Sequence, residues 1–260
     1  MKYLLFILIP ITLSCVSGIT LNVPLSNSLK EALNKQIVPD NKNDWQYFLQ
    51  HLPLANKPII DYRRRVISYQ QKHIAIVEYD VGTTDLQQCA DALIRLRSEY
   101  LFSRKRFDEI GFHFMDGHFY TWNDYCSGLL PFLKRNKIEF RRKLPSLKTH
   151  ESLRSYLDIV YTYACTISLA KELKNTDKFE IGTVVIHPGS PGHCFIIIDE
   201  TTNEKGEKLF KLAEGYTPAQ SIYVLRNLDE KGVSPWYRLH HGTIETASYV
   251  FTDYELKKFE

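Results

Sequence analysis

Few groups in this chain can do nucleophilic chemistry: there are five cysteines, and among nine histidines only His193 has an acidic partner that spacing supplies. His193 opens the run His193-Cys194-Phe195-Ile196-Ile197-Ile198-Asp199, which reads as a strand of the fully buried kind. Residues 201–206 are polar and end on Gly206, so the chain reverses and Lys208–Ala213 pairs back. Glu200 then faces Glu207, and His193 falls opposite Glu214, give or take a residue. Cross-strand neighbours sit ~4.5–5.5 Å apart at Cβ, close enough for a carboxylate to orient an imidazole. Asp199 is excluded from that role, because the intervening extended strand spans ~20 Å.

A histidine at the start of a buried strand, an acid or amide on the next strand and a cysteine on a preceding helix is the chain order of papain-like thiol hydrolases. Such chemistry needs a thiolate whose pKa is lowered by an imidazolium, and a third group to hold the ring. Two cysteines are candidates. Cys165 lies on a helix expected to pack against the strands, and Cys126 sits in Asp124-Tyr125-Cys126-Ser127-Gly128. The latter is similar to the Asp-Cys-Ser-Gly of envelope peptidoglycan peptidases, with Tyr125 inserted. Against these stand the ordinary readings: Cys89 and Cys165 as buried free thiols within helical patterns, and Cys126 as a loop cysteine. His187, His240 and His241 have no partner that spacing justifies. With no C-x-x-C and no tightly spaced histidine pair, neither structural zinc nor any other cofactor is expected. Cys89, Cys126, Cys165 and Cys194 could form two disulfides, whose connectivity spacing leaves open.

The elements that must position these groups follow from periodicity. Asp44 is a plausible N-cap before Trp45–Leu49, and Ile74–Tyr79 reads as a strand. Thr84 or Asp85 is expected to cap a long helix whose stripe runs through Leu86, Cys89, Ala90, Leu93, Ile94 and Tyr100. Ile110–Phe114 alternates as a strand, with Phe119–Trp122 a candidate hairpin partner. From Lys134 to Lys148 the chain is strongly basic; a solvated loop or face is the ordinary reading, a phosphate- or lipid-facing patch the alternative. A second long helix is expected over Ser152–Leu173, apolar nearly all round. Strands at Thr183–Ile186, His193–Asp199, Lys208–Ala213 and Ser221–Leu225 complete an α+β class, with two long helices on a mainly antiparallel sheet and a papain-like arrangement as a variant.

Lys2 followed by the uncharged run Tyr3–Ser14 reads as a secretory signal, too short to span a bilayer of ~30 Å. Thr12-Leu13-Ser14-Cys15 resembles a bacterial lipobox, with Cys15 the lipidated residue; cleavage near Ser17-Gly18 is the alternative. The expected organisation is a signal over residues 1–18, a tether over 19–42 and one globular domain over 43–260. Either route places the protein outside the cytoplasm, as a periplasmic or outer-membrane-anchored molecule that meets a membrane only through its lipid. With 33 Lys+Arg against 30 Asp+Glu and 44% hydrophobic residues, disorder is excluded and nucleic acid is not an expected partner.

The stretch Asp85-Leu86-Gln87-Gln88-Cys89-Ala90-Asp91-Ala92 running on to Leu101, together with Pro191-Gly192-His193, Pro218-Ala219-Gln220 and Ser234-Pro235-Trp236-Tyr237, resembles a family of bacterial envelope proteins known as domain of unknown function 4846. The resemblance covers nearly the whole chain after the signal and implies no established activity. It carries over at His193, Asp199, Gln220 and the Arg95, Arg97, Glu99 set. It departs at Cys165, where the family pattern has Gly, at Glu214-Gly215, where it has an amide and Ser, and at Tyr223, where it has His. Two functions stand at this point. The favoured one is a non-enzymatic envelope protein binding a ligand or envelope partner at the Pro188–His193 and Tyr216–Gln220 loops, with Tyr216, Gln220 and Asp199 as contacts. The alternative is a papain-like hydrolase of envelope peptide or amide bonds using His193, Glu214 and Cys165.

Overall fold

The computed structural model describes residues 44–260; the expected signal, the tether and Cys15 lie outside the described residues. Helix α1 spans Asp44–Gln50, and Asp44, rather than capping it, is its first residue and pairs with Arg104. Strands β1 (Leu54–Ala55) and β2 (His73–Val77) precede helix α2, Cys89–Ser103. The hairpin β3 (Gly111–His113) and β4 (Phe119–Thr121) leads into the short helix α3, Trp122–Cys126. Thr121 accepts from the Asp124 N–H while Asp124 accepts in return from Thr121, which fixes that start.

The basic stretch is not a plain loop but a second hairpin, β5 (Leu129–Lys134) and β6 (Lys137–Arg142). Its two turn residues, Arg135 and Asn136, have φ of 49° and 60°, the left-handed pair that a tight hairpin turn demands. The second long helix is also two helices, α4 (His150–Tyr163) and α5 (Thr166–Glu172). Ala164 and Cys165 are extended, and the Ser168 hydroxyl accepts the Cys165 N–H at 3.0 Å, opening a new helix where apolar periodicity alone predicts continuation.

Strands β7 (Lys174–Asn175), β8 (Thr183–His187), β9 (His193–Thr202), β10 (Lys208–Glu214) and β11 (Tyr223–Leu225) follow, then β12 (Ile244–Glu245), β13 (Val250–Phe251) and β14 (Glu255–Lys258). Eight of them form one sheet in the order β1-β2-β11-β10-β9-β8-β14-β7, every neighbouring pair antiparallel. The class is α+β. Cys194, Ile196 and Ile198 of β9 join the core shared with α2 and α4, whereas Phe195 and Ile197 join a second core closed by Tyr237, Ile244 and Phe251 from the C-terminal segment. A strand covered on both faces has no solvent side to alternate with, which is why residues 194–198 of β9 are apolar without a break.

The register of β9 with β10 carries a bulge that matters for the site. Lys211 pairs with Asp199, but after the shift Leu212 pairs with Ile197 and Ala213 with Ile196. Continued from Ala213, that register sets Glu214 beside Phe195, on the same face as His193. A single-residue slip reverses every side chain on a strand; without the bulge Glu214 would face the helices and miss the imidazole. The direct His193–Glu214 opposition expected from a loop over 201–206 is replaced by a diagonal relation: Thr201 and Thr202 belong to β9, Phe210 rather than Glu207 faces Glu200, and the bulge shifts the register by one residue.

Candidate functional site

Helix α2 begins at Cys89 because of what precedes it. Leu86 and Gln88 donate their N–H groups to Thr84 and Leu86, in turns tighter than a helix, and the Asp91 carboxylate accepts the Gln88 N–H at 3.1 Å. Asp85, expected as a cap, instead accepts the Ala219 N–H at 2.7 Å and pins the 217–220 loop to the helix entry. Cys89 thus occupies the first helical position, where backbone N–H groups have no intrahelical acceptor and the helix dipole favours negative charge.

Around the Cys89 sulfur the chain gathers Cys194 and His193, and the sulfur lies 3.8 Å from the Gly192 carbonyl oxygen. Its pKa is pulled down to about 5 by the Cys194 thiol donating to it, then by the hydrogen bond and charge of His193 and by the Ala90 N–H, against burial. His193 is pushed up to about 9: burial opposes the charge, but Cys89 and Glu214 outweigh it. Burial raises Cys194 well above the ordinary thiol range, so it stays a donor.

The other ring nitrogen is held. His193 Nε2 lies 2.8 Å from Glu214 Oε2, and both residues are buried, at 3% and 0% side-chain exposure. The Tyr223 hydroxyl donates to Glu214 Oε1 and meets Ser248 Oγ at 3.1 Å. Aromatic rings wall the imidazole, with Tyr216 at 5.2 Å and Tyr249 at 5.0 Å between centroids. Lys72 adds a buried ammonium 4.4 Å from the Tyr216 ring and 4.6 Å from that of Tyr223; burial lowers its pKa and the Glu214 charge opposes the drop.

A cleft of about 320 Å³ opens at Cys89, bordered by Gln88 and Ala90 on one side and by Gly189–Gly192 on the other, with Tyr161 and Thr166 between. Thr217 places the second predicted loop at the same rim. Tyr216 packs on His193, whereas Gln220 is buried at 1% exposure and bridges to Asp61. Asp199 lies away from the cleft, bound to Lys211 at 2.9 Å and Gln50 at 3.0 Å.

Cys165 lines the cleft too, but its sulfur is turned elsewhere: it accepts the Ile167 N–H at 3.2 Å and rests on the Met115 thioether. Burial pushes the Cys126 thiol up, in the core beside α4. His187 is fixed by the Asp253 carbonyl at 2.7 Å. Among the described residues all four cysteines are free, and no group of three or more His, Cys, Asp or Glu is placed to hold a metal ion.

Sequence reasoning missed Cys89 as the thiol beside His193. The helical stripe put it in mid-helix; the signal that would have moved the start is Gln88 followed three residues later by Asp91, a capping spacing with an amide in the first position. Gly192 tolerates no side chain, since a Cβ there would stand 2.3 Å from Thr166 Oγ1 and 2.7 Å from Gly189 O. Gly192→Ala should displace the loop that faces Cys89, destabilise the fold by roughly 1–3 kcal/mol and slow alkylation of Cys89. Chemical denaturation and thiol labelling of the one variant measure both effects.

No curated protein and no solved structure matches the chain. A family model does, over residues 29–258. That match spans nearly all of the sequence and every element of the site, and the chain belongs to the family described as Domain of unknown function (4846).

Proposed function

We propose that this protein is a cysteine hydrolase of peptide or amide bonds, with Cys89 as nucleophile, His193 as general acid and base, and Glu214 as the group that orients the ring. The observation that carries this reading is the placement of Cys89 at the first turn of α2, beside a histidine whose Nε2 is held by a buried carboxylate. Nε2 is occupied, so Nδ1 is the nitrogen left for the sulfur. The chain order, cysteine on a helix, then histidine and acid on successive strands, is the papain-like order, and we extend the analogy to the arrangement of the domain. Cys89 also lies inside the stretch that carries the family resemblance, unlike Cys165.

The steps balance without a cofactor. The Cys89 thiolate attacks the substrate carbonyl, and the oxyanion forms beside the Cys89 N–H, which has no intrahelical acceptor. His193 gives its proton to the departing amine, leaving a thioester on Cys89. His193 then takes a proton from water, hydroxide adds to the thioester, and the product leaves as the carboxylic acid, which ionises to bulk water, with the thiolate and imidazolium restored. The loops first read as a binding surface become the walls of the substrate cleft. Residues 1–18, read as a signal, and Cys15, read as a lipidation site, support an extracytoplasmic location and hence envelope peptides or amides as substrates.

The test is a screen of peptide and aminoacyl amides with wild-type protein, Cys89→Ala and Cys165→Ala. Hydrolysis should vanish in the first variant and persist in the second. Turnover that survives Cys89→Ala would overturn the assignment.

A further inference from the structure

The basic hairpin takes no part in the site, and its composition is unlike the rest of the chain. Residues 129–148 carry seven Lys or Arg and a single acid, Glu139, whereas the remainder holds 26 basic against 29 acidic residues. The hairpin β5–β6 forms its own two-stranded sheet, apart from the eight-stranded one. Local partners absorb only some of the charge: Lys134 pairs with Glu139 at 3.0 Å, Lys148 with Asp108 at 3.4 Å, and Lys143 lies 4.0 Å from the Tyr125 ring. Arg135, Lys137 and Arg142 are exposed with no carboxylate partner among the described residues.

Apolar side chains are exposed along the same segment. Leu133 beside the turn is 61% exposed, and Leu144 and Leu147, just after β6, are 86% and 82% exposed, the two highest values among the large exposed hydrophobic residues. A surface that only gathered anionic polymer would have no use for three leucines in water. Cations interleaved with exposed leucines match a bilayer interface, where headgroup phosphates meet the cations and acyl chains receive the leucines.

We propose that the β5–β6 hairpin and the segment through Lys148 form a docking surface for an anionic lipid bilayer. The contact is peripheral, since no helix among the described residues is long and apolar enough to cross a membrane. It is independent of the hydrolase reading. With acyl chains on Cys15 sufficient to hold the protein at the membrane, the hairpin would fix which side of the domain faces the bilayer.

The experiment is co-sedimentation of the full chain, carrying Cys15→Ser so that no acyl chain contributes, with vesicles of phosphatidylcholine plus phosphatidylglycerol or of phosphatidylcholine alone. Partitioning should be at least about tenfold stronger on the anionic vesicles and weaken with salt. Arg135→Glu, Lys137→Glu and Arg142→Glu together should abolish it, and Leu133→Ser, Leu144→Ser and Leu147→Ser together should lower it about tenfold with an unchanged melting temperature. These positions are exposed, so both variants should fold. Equal partitioning on the two vesicle types would overturn the proposal. So would binding to soluble polyphosphate without binding to vesicles, or a leucine variant that binds as well as wild type.

Discussion

Alkylation of Cys89 by iodoacetamide should rise with pH through a midpoint near 5, hold a plateau, and rise again near 9. The sign follows from the two groups. Below about 5 the sulfur is protonated and inert; above it the thiolate persists beside the imidazolium; above about 9 His193 loses its proton and the freed thiolate becomes more nucleophilic. Hydrolysis needs both members of the pair in their charged forms, so its profile should be a bell with limbs at the same two positions. His193→Ala removes the imidazolium and moves the first midpoint up, while the Cys194 thiol, the larger cause of the low value, still holds it below the ordinary ~8.5 of a thiol. At pH 6 the thiolate fraction then falls, but a more basic thiolate attacks faster, with a Brønsted slope of ~0.4–0.5, so simple alkylation slows by less than about tenfold. Hydrolysis in the same variant should fall by ~10²–10⁴, because the proton donor to the leaving amine is gone. Cys165→Ala should change neither curve. A first midpoint above 8 in the wild-type protein would mean that Cys89 is an ordinary buried thiol.

Which parts of this arrangement could be read in the residues depends on how local the determining force is. The strand His193–Asp199 and its return partner were legible because a buried two-sided strand leaves an unbroken apolar run, and residues 201–206 allow only a reversal. The nearness of His193 and Glu214 followed from that pairing, but the bulge that sets them on one face did not, since an extra residue in a ladder leaves no periodic trace. Cys89 was hidden for the opposite reason. Its spacing fits the helical stripe, and only the tight turns at Thr84–Gln88, together with the use of Asp85 by the distant Ala219, delay the helix until the cysteine comes first. A contact to residue 219 cannot be read in residues 84–91. The break at Ala164–Cys165 was likewise set by a single hydroxyl, Ser168, against a continuous apolar pattern.

Loss of the Glu214 carboxylate should be the most damaging single change in the site, and its cost should separate from that of losing the charge alone. The carboxylate is fully buried and accepts from His193 and from the Tyr223 hydroxyl, while its charge favours the buried ammonium of Lys72. Glu214→Ala removes the only acid among the described residues bound to this group, leaving the imidazole, the phenol and the ammonium without it in a buried place. Breaking a buried charged pair on one side costs about 3–5 kcal/mol, a large share of the 5–15 kcal/mol that typical domains possess. The urea midpoint should drop accordingly, or the protein should fail to accumulate. Glu214→Gln keeps an acceptor and a matching shape, and the family pattern itself was read as carrying an amide here, so folding should survive. What the amide cannot supply is the negative charge that holds His193 protonated. The glutamine variant should therefore fold with a urea midpoint close to wild type, while the upper limb of its hydrolysis profile moves below 9 and its turnover falls. Tyr223→Phe, which leaves the carboxylate in place and removes one donor to it, should fall between wild type and Glu214→Gln in that limb. A glutamine variant with the wild-type upper limb would show that Glu214 holds the ring by shape alone, and that the charge on His193 is maintained by Cys89.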